Sequence, residues 1–418
     1  MSALSVLAER APVRWALRRP GVSAAAILWV LFALNFNVLT ITTEGDSRVQ
    51  FTLVRRLFGA DVHAVGYQFG LAIFEVPFYA CGRLLTAFGI TSIGGAPSTE
   101  ASVALGSSLV TLGALLLTAH LVTALRLPVP GFAAFTATFG MPLFYYGTWV
   151  PGKTHSWDTF LFAAALVVLL AYVRSDFLDG RLLVILAVIL GFAATVRYFS
   201  APAIVALAIS LAVLRHYRQA FLLLAVAATT WGLLFLVPFA AGAPLTGGGY
   251  GENVLAFDPL GPVKMLVTDH RGLFVWSPIA LVGLVGYARL LRRGGRDRRF
   301  LVLAGAMGFA ILVSYAAIPF WDGTWSFSQR YLTPLTPLVG IGVAGLAGAT
   351  RRWAIALGTL ATAWTVFLAL NLQLVGPPAN DYTTIRGGAS DVALQVTRRH
   401  VSPGEYAWAI YHRSRLLH

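Results

Sequence analysis

The stretch GVSAAAILWVLFALNFNVLTIT, residues 21–42, carries no charged side chain and then breaks into TEGDSRVQF, residues 43–51. A helix that crosses a bilayer needs about 20 consecutive apolar residues. The first run is therefore read as a membrane span, and the second as the loop at its far boundary. Arg10, Arg14, Arg18 and Arg19 precede the run. It is too long for a signal-peptide core and no A-x-A site follows it, so the span is read as uncleaved. Similar runs recur at 101–124, 130–149, 157–173, 182–198, 200–214, 219–240, 272–290, 300–319, 331–349 and 353–375. Only 11% of the 418 residues are charged and mean hydropathy is +0.74, whereas soluble domains carry roughly 25% charged residues. The expectation is an all-α polytopic membrane protein of about 11 transmembrane helices. One membrane domain spans 1–375, and a polar tail covers 376–418.

The stretch 67–90 is apolar but contains Glu75, Pro77 and Arg83. Charges at the centre of a bilayer cost several kcal/mol, so it is read as an interfacial or partly inserted helix pair within a first outer loop, 43–100. The positive-inside rule tests that choice. If 67–90 does not cross, the N-terminus and the turns near 126, 174–181, 215–218, 289–299 and 351–352 share one side. That side holds 17 of the 31 Lys+Arg residues and 4 of the 17 Asp+Glu residues, net +13 against +1 on the other. The expected topology puts the N-terminus in the cytoplasm and the C-terminus outside, in a multi-pass protein of a plasma membrane. The preference for Arg over Lys suits a bacterial source.

This distribution also accounts for the net charge of +14 without nucleic acid. The arginines flank helix ends, where anionic lipid attracts them, and no nucleic-acid-binding motif accompanies them. A single cysteine, Cys81, excludes an intrachain disulfide and a cysteine-based metal site; in its apolar setting it is expected to be a buried structural thiol. No internal repeat is evident, which disfavours transporters built from repeated halves.

The chemically capable residues fall on the outer side of this topology. Glu44 and Asp46 stand just past the first span, where a carboxylate can act as a general base toward a hydroxyl group; solvated loop acids are the plainer alternative. Two acids without further ligands make a poor metal site, and neither metal nor cofactor is expected. The loop GTWVPGKTHSWD, 147–158, places Lys153 and His155 between Trp149 and Trp157. Aromatic faces there can stack on a sugar, although an interfacial belt is the commoner use of such tryptophans. A long loop, 241–271, rich in glycine at its start, ends on Asp269, His270 and Arg271; it is either a cover for substrate or a connector. The last outer loop, FWDGTWSFSQRYLTPLTP at 320–337, contains Trp325, Arg330 and Tyr331. Arginine at that depth binds phosphate bidentately or snorkels to the interface. Arg197, in ATVRYFSAP, ends another helix on the same face.

Taken in order, several segments resemble the GT-C superfamily of polytopic glycosyltransferases, in particular protein O-mannosyltransferases and lipid A aminoarabinose transferases. They are the acidic stretch with Glu44 and Asp46, VGYQFGLAIFEVPFY at 65–79, KTHS, GFAATVR at 191–197, RGLFVWSP at 271–278 and QRYLTPLTP at 329–337. The resemblance implies an inverting transfer from a polyprenyl-phosphate-linked sugar to a hydroxyl group of a glycan, lipid or protein acceptor outside the membrane. It also implies that Asp46 is the base and that Arg197, Arg271, Arg330 and Lys153 hold the donor phosphate. His155, His270, Trp149, Trp157, Trp325 and Tyr331 would line the substrate. The family pattern has an Asp-Glu pair where this chain reads Asp46-Ser47, with Glu44 as a substitute for the second acid. It also commonly has acids at Pro151-Gly152. A lipid or solute transporter, or a degenerate lipid-binding scaffold, are the competing expectations. The transporter requires charged residues deep inside several helices.

Overall fold

The computed structural model describes residues 15, 18–41, 46–62, 69–240, 242, 258–318, 327–374 and 389. Every apolar run read from the sequence is occupied by helix. The first seven helices are α1 (Pro20–Phe36), α2 (Asp46–Leu57), α3 (Gly70–Ala87), α4 (Ser98–Ala124), α5 (Pro130–Gly140), α6 (Leu143–Thr148) and α7 (Thr154–Arg174). They are followed by α8 (Gly180–Val196), α9 (Ala201–Val213), α10 (Tyr217–Ala240), α11 (Gly261–Val267) and α12 (Leu273–Trp276). The last four are α13 (Ile279–Arg293), α14 (Arg298–Ala316), α15 (Thr336–Ala347) and α16 (Arg351–Leu374). One two-residue hairpin, β1 (Ser92–Ile93) with β2 (Ala96–Pro97), is the only sheet among the described residues.

Five of these helices, α4, α7, α10, α14 and α16, are long and apolar enough to cross a membrane, and α1 and α8 are shorter apolar helices. Three expected runs are interrupted. Pro142 separates α5 from α6, and Pro278 separates α12 from α13. The run at 331–349 begins as a 3-10 turn, Arg330–Leu335, around Pro334. Proline lacks the amide hydrogen a helix interior requires, so each break sits where the sequence supplies one. Outward faces stay apolar: on α10, Phe221, Leu233, Leu236 and Phe239 are all more than half exposed, a surface suited to lipid.

The helices meet through small residues. A Cβ on Gly286 of α13 would lie 1.9 Å from the carbonyl oxygen of Gly342 on α15, and one on Gly342 would lie 1.9 Å from that of Gly283. Close backbone approach of this kind is the usual device where lipid removes the hydrophobic incentive to associate.

The first outer loop differs from expectation in detail. Within the stretch 67–90, one helix, α3 (Gly70–Ala87), runs through Pro77 rather than a pair of helices. It packs along the beginning of α4, with Gly82 against Ser98 and Thr99 and Phe78 against Gly106. Its own start, Gly70, lies against Thr195 and Val196 at the end of α8. The polar segment before it contributes α2, whose buried residues Ser47, Gln50, Phe51 and Val54 follow the i, i+3, i+4, i+7 spacing of an amphipathic helix. Cys81 is exposed, not a buried thiol: it points away from the side of α3 on which Gly82 meets α4. Trp149 and Trp157 are 7% and 4% exposed, so they belong to the interior rather than to an interfacial belt.

Candidate active site

The start of α7 and the end of α8 build the core of the site. α8 stops at Arg197, whose extended backbone (φ −146°) leads into a 3-10 turn, Tyr198–Ser200. That turn carries Ser200 back onto α7, where its hydroxyl donates to Asp158 Oδ1 at 2.7 Å. His155 and Asp158, three residues apart in the first turn of α7, present one face and both meet Arg197. The Arg197 guanidinium donates to His155 Nδ1, and its Nε lies 3.8 Å from Asp158 Oδ2. A guanidinium group has only donors, so Nδ1 of His155 must accept. His155 also hydrogen-bonds with the backbone of Arg330.

Aromatic rings enclose this pair. Arg197 lies 5.1 Å and 5.3 Å from the rings of Tyr315 and Tyr331, which stack on each other at 4.8 Å. Arg330 lies over the Tyr331 ring at 5.1 Å. Cation–π contacts of this kind reach about 2 kcal/mol when desolvated. Lys153 and Arg330 are both close enough to act electrostatically on His155, so four cationic or imidazole side chains converge at one end of the bundle.

Arg271 joins through packing. It is fully buried, 5.0 Å from the Trp276 ring. The Trp276 indole donates to the carbonyls of Asp269 and His270 at 2.9 and 3.0 Å and meets the Phe327 ring edge-on. The Phe327 carbonyl in turn accepts from the Tyr146 hydroxyl, and the Tyr146 ring lies 4.4 Å from that of His155. Asp269 also accepts from the amide of Ala389, the described residue of the tail.

The expected residues thus separate. Arg197, Arg330, Lys153, His155 and Tyr331 are brought together, and Arg271 and His270 adjoin them through Trp276 and Phe327. Trp149 instead packs among Phe32, Phe144 and Tyr145, and Trp157 stacks on Phe74 of α3 at 4.5 Å. Asp46 is the first residue of α2. Glu44, Trp325, much of the 241–271 loop and the tail apart from Ala389 lie outside the described residues. Asp158, Ser200, Tyr146 and Tyr315 went unread in the sequence. An acid inside an apolar run was the available signal, since it needs a partner there. Among the described residues no three His, Cys, Asp or Glu side chains gather as a metal site.

No family model and no curated protein matches the chain. Solved structures do. The chain is similar to the oligosaccharyltransferase of Archaeoglobus fulgidus in its apo form, at 15% identity and a TM-score of 0.46, over 96% of this chain and 56% of that one. It is likewise similar to archaeal oligosaccharyltransferase AglB from the same organism in complex with an inhibitory peptide and a dolichol-phosphate, at 14% identity and a TM-score of 0.47, over 96% and 56%. A third, tethered to an acceptor peptide containing the NVT sequon, gives 14% and 0.46, over 96% and 55%. AglB is a GT-C glycosyltransferase, and this chain spans about half the length of these structures.

Proposed function

We propose that the chain is an inverting membrane glycosyltransferase that moves a sugar from a polyprenyl-phosphate carrier to an acceptor hydroxyl group on the extracytoplasmic side. The observation that carries this is the gathering of Arg197, Arg330, Lys153 and Arg271, buried or half-buried, at the end of the bundle where α7 begins and α8 ends. Arginines fixed in place by aromatic and carboxylate neighbours are suited to a phosphate group. Asp46 takes the proton of the acceptor hydroxyl; the hydroxyl oxygen bonds to the anomeric carbon from the face opposite the phosphate. The bond to phosphate breaks, and the electron pair leaves on the lipid phosphate, where the cations stabilise it. Such stabilisation is often the largest catalytic term. His155, His270 and Tyr331 line the path, with Glu44 and Trp325 as further candidates and Trp149 and Trp157 behind them.

A cavity of about 400 Å3 between α8, α9 and α10 adds support. It is lined by Ala194, Tyr198, Ile204, Leu224, Ala227 and Trp231. An apolar groove of this kind suits an isoprenoid chain. The transporter alternative fits less well: every buried charged side chain among the described residues, from Glu75 to Arg271, lies at this one end, so no charged path continues through the bundle.

The test is release of polyprenyl phosphate from a polyprenyl-phosphate hexose by the full chain in nanodiscs. Asp46→Asn is expected to lower the rate at least about 100-fold, within the range of general-base catalysis; wild-type turnover by that variant would remove Asp46 from the mechanism. For sidedness, in a Cys81→Ser background, cysteine at Leu255 should react with an impermeant reagent from outside and cysteine at Gly295 should not.

A further inference from the structure

Among the described residues, Glu75 is a carboxyl group of the site's end with no visible purpose. It is 1% exposed, and neither of its oxygens has a hydrogen-bond partner among the described residues. No ion pair reaches it among the described residues, and burial alone raises its proton affinity. A buried polar group without a partner costs several kcal/mol if charged. Leucine at this position would pack with no such cost, so the fold itself gives no reason for an acid.

Its surroundings point to substrate. Glu75 Oε1 and Ser47 Cβ both lie within 4 Å of the same point beside Gly152. Ser47 directly follows Asp46 in α2; it is fully buried, and its hydroxyl also lacks a partner among the described residues. Gly152 precedes Lys153, is held by its amide to Ser107 Oγ at 3.0 Å, and has φ +73°. A side chain there would meet Ile41 at 2.9 Å, so glycine lets this backbone close against Ile41 and Ser47. Among the described residues, the polar groups these contacts bring to Glu75 are Ser47 of α2 and, through the Gly152 amide, Ser107 of α4. Glu75 therefore stands between the first turn of α2, at Ser47, and the loop that carries Lys153. On the glycosyltransferase reading, the acceptor hydroxyl lies there.

We propose that Glu75 is the acceptor-side carboxyl of the site and hydrogen-bonds the hydroxyl group that attacks the donor, alongside Asp46. The proposal rests on the glycosyltransferase reading. Its ligand class is a hydroxyl group, with water as the stand-in when no acceptor is supplied.

The experiment uses the full chain in nanodiscs with an undecaprenyl-phosphate hexose and water as nucleophile. Glu75→Leu and Glu75→Gln are compared with wild type for phosphate-lipid release from pH 5 to 8 and for thermal unfolding. The expected result is a fall of at least tenfold in turnover for both variants, a pH profile that changes shape, and a Glu75→Leu unfolding midpoint at or above wild type. Turnover of Glu75→Leu at the wild-type rate overturns the proposal. No release by wild type fails the glycosyltransferase reading instead, and the two failures are distinct. A second arm needs no turnover: dicyclohexylcarbodiimide should form an adduct at Glu75 that Glu75→Gln lacks. No adduct in wild type would show a carboxyl sealed from every ligand, which also overturns the proposal.

Discussion

At the closing turn of α7, Arg174 donates through Nε and Nη2 to the two oxygens of Asp297, at 3.0 and 3.2 Å, with roughly a third of its side chain exposed. At the opening turn of the same helix, His155 and Asp158 hold Arg197, which is 3% exposed. The residue types are the same and the surroundings opposite. Arg174 and Arg299, with their partners Asp297 and Asp176, remain in contact with solvent, as charges that fix orientation at a membrane surface do. Arg197 and Arg271 were instead taken out of water, which a protein sustains only when carboxylate, carbonyl and ring partners are built around them. One end is a surface; the other is a constructed interior.

The strongest way to break that contrast is Arg197→Ala. Removing one partner of a buried pair strands the other, at about 3–5 kcal/mol. Unfolding in detergent should register a loss of that size, and Arg197→Met combined with Asp158→Leu should recover most of it. A loss below about 1 kcal/mol would mean that the pair is no more buried in effect than Arg174 with Asp297. Gly152→Ala sharpens the same contrast at the site's wall. A non-glycine residue in the left-handed region costs about 1–2 kcal/mol, so a moderate drop in stability is expected, with turnover falling alongside it.

Glu75 makes the buried end sensitive to pH. It lies on α3, which is not among the five helices long and apolar enough to cross a membrane, and burial raises its carboxyl well above the ordinary value of 4.5. With the folded value raised, the folded state holds the proton longer than the unfolded one. The contribution is therefore complete below pH 4.5 and is lost as pH rises toward the folded value, at no more than about 1.4 kcal/mol per pH unit. Unfolding midpoints should fall with rising pH across that window in wild type, and the slope should flatten in Glu75→Leu.

The contrast also explains what the sequence made legible. Span length and hydropathy are local properties, so the helices at 98–124, 154–174 and 298–316 followed from composition alone. Charge bias flagged the exposed end, since its arginines sit in short turns between apolar runs. The site was half legible: Arg197 and Arg330 stood out as charges beside apolar segments, but their neighbours did not. His155 and Arg197 are 42 residues apart, and Tyr146 and Phe327 are 181 apart. Only packing joins them. Glu75 was visible as a misplaced charge and entered the topology expectation, while its position beside Ser47 and Gly152 needed three separate elements in contact. Trp149 and Trp157 misled because interior and interfacial tryptophans have the same sequence context.

The smallest expected effect belongs to the exposed end. Arg174→Ala removes a bidentate pair with Asp297 and a bond to the Ala124 carbonyl at 2.8 Å. Partly exposed ion pairs contribute about 0–1 kcal/mol, so unfolding should shift by less than that. Raising salt from 0.01 to 1 M shortens the screening length from about 30 to about 3 Å, which should shrink the shift further. Arg197→Ala should show no such dependence, because counter-ions do not reach its cluster. If salt erased both effects equally, the two ends would share one solvent, and a phosphate-binding interior at the Arg197 end would lose its physical basis.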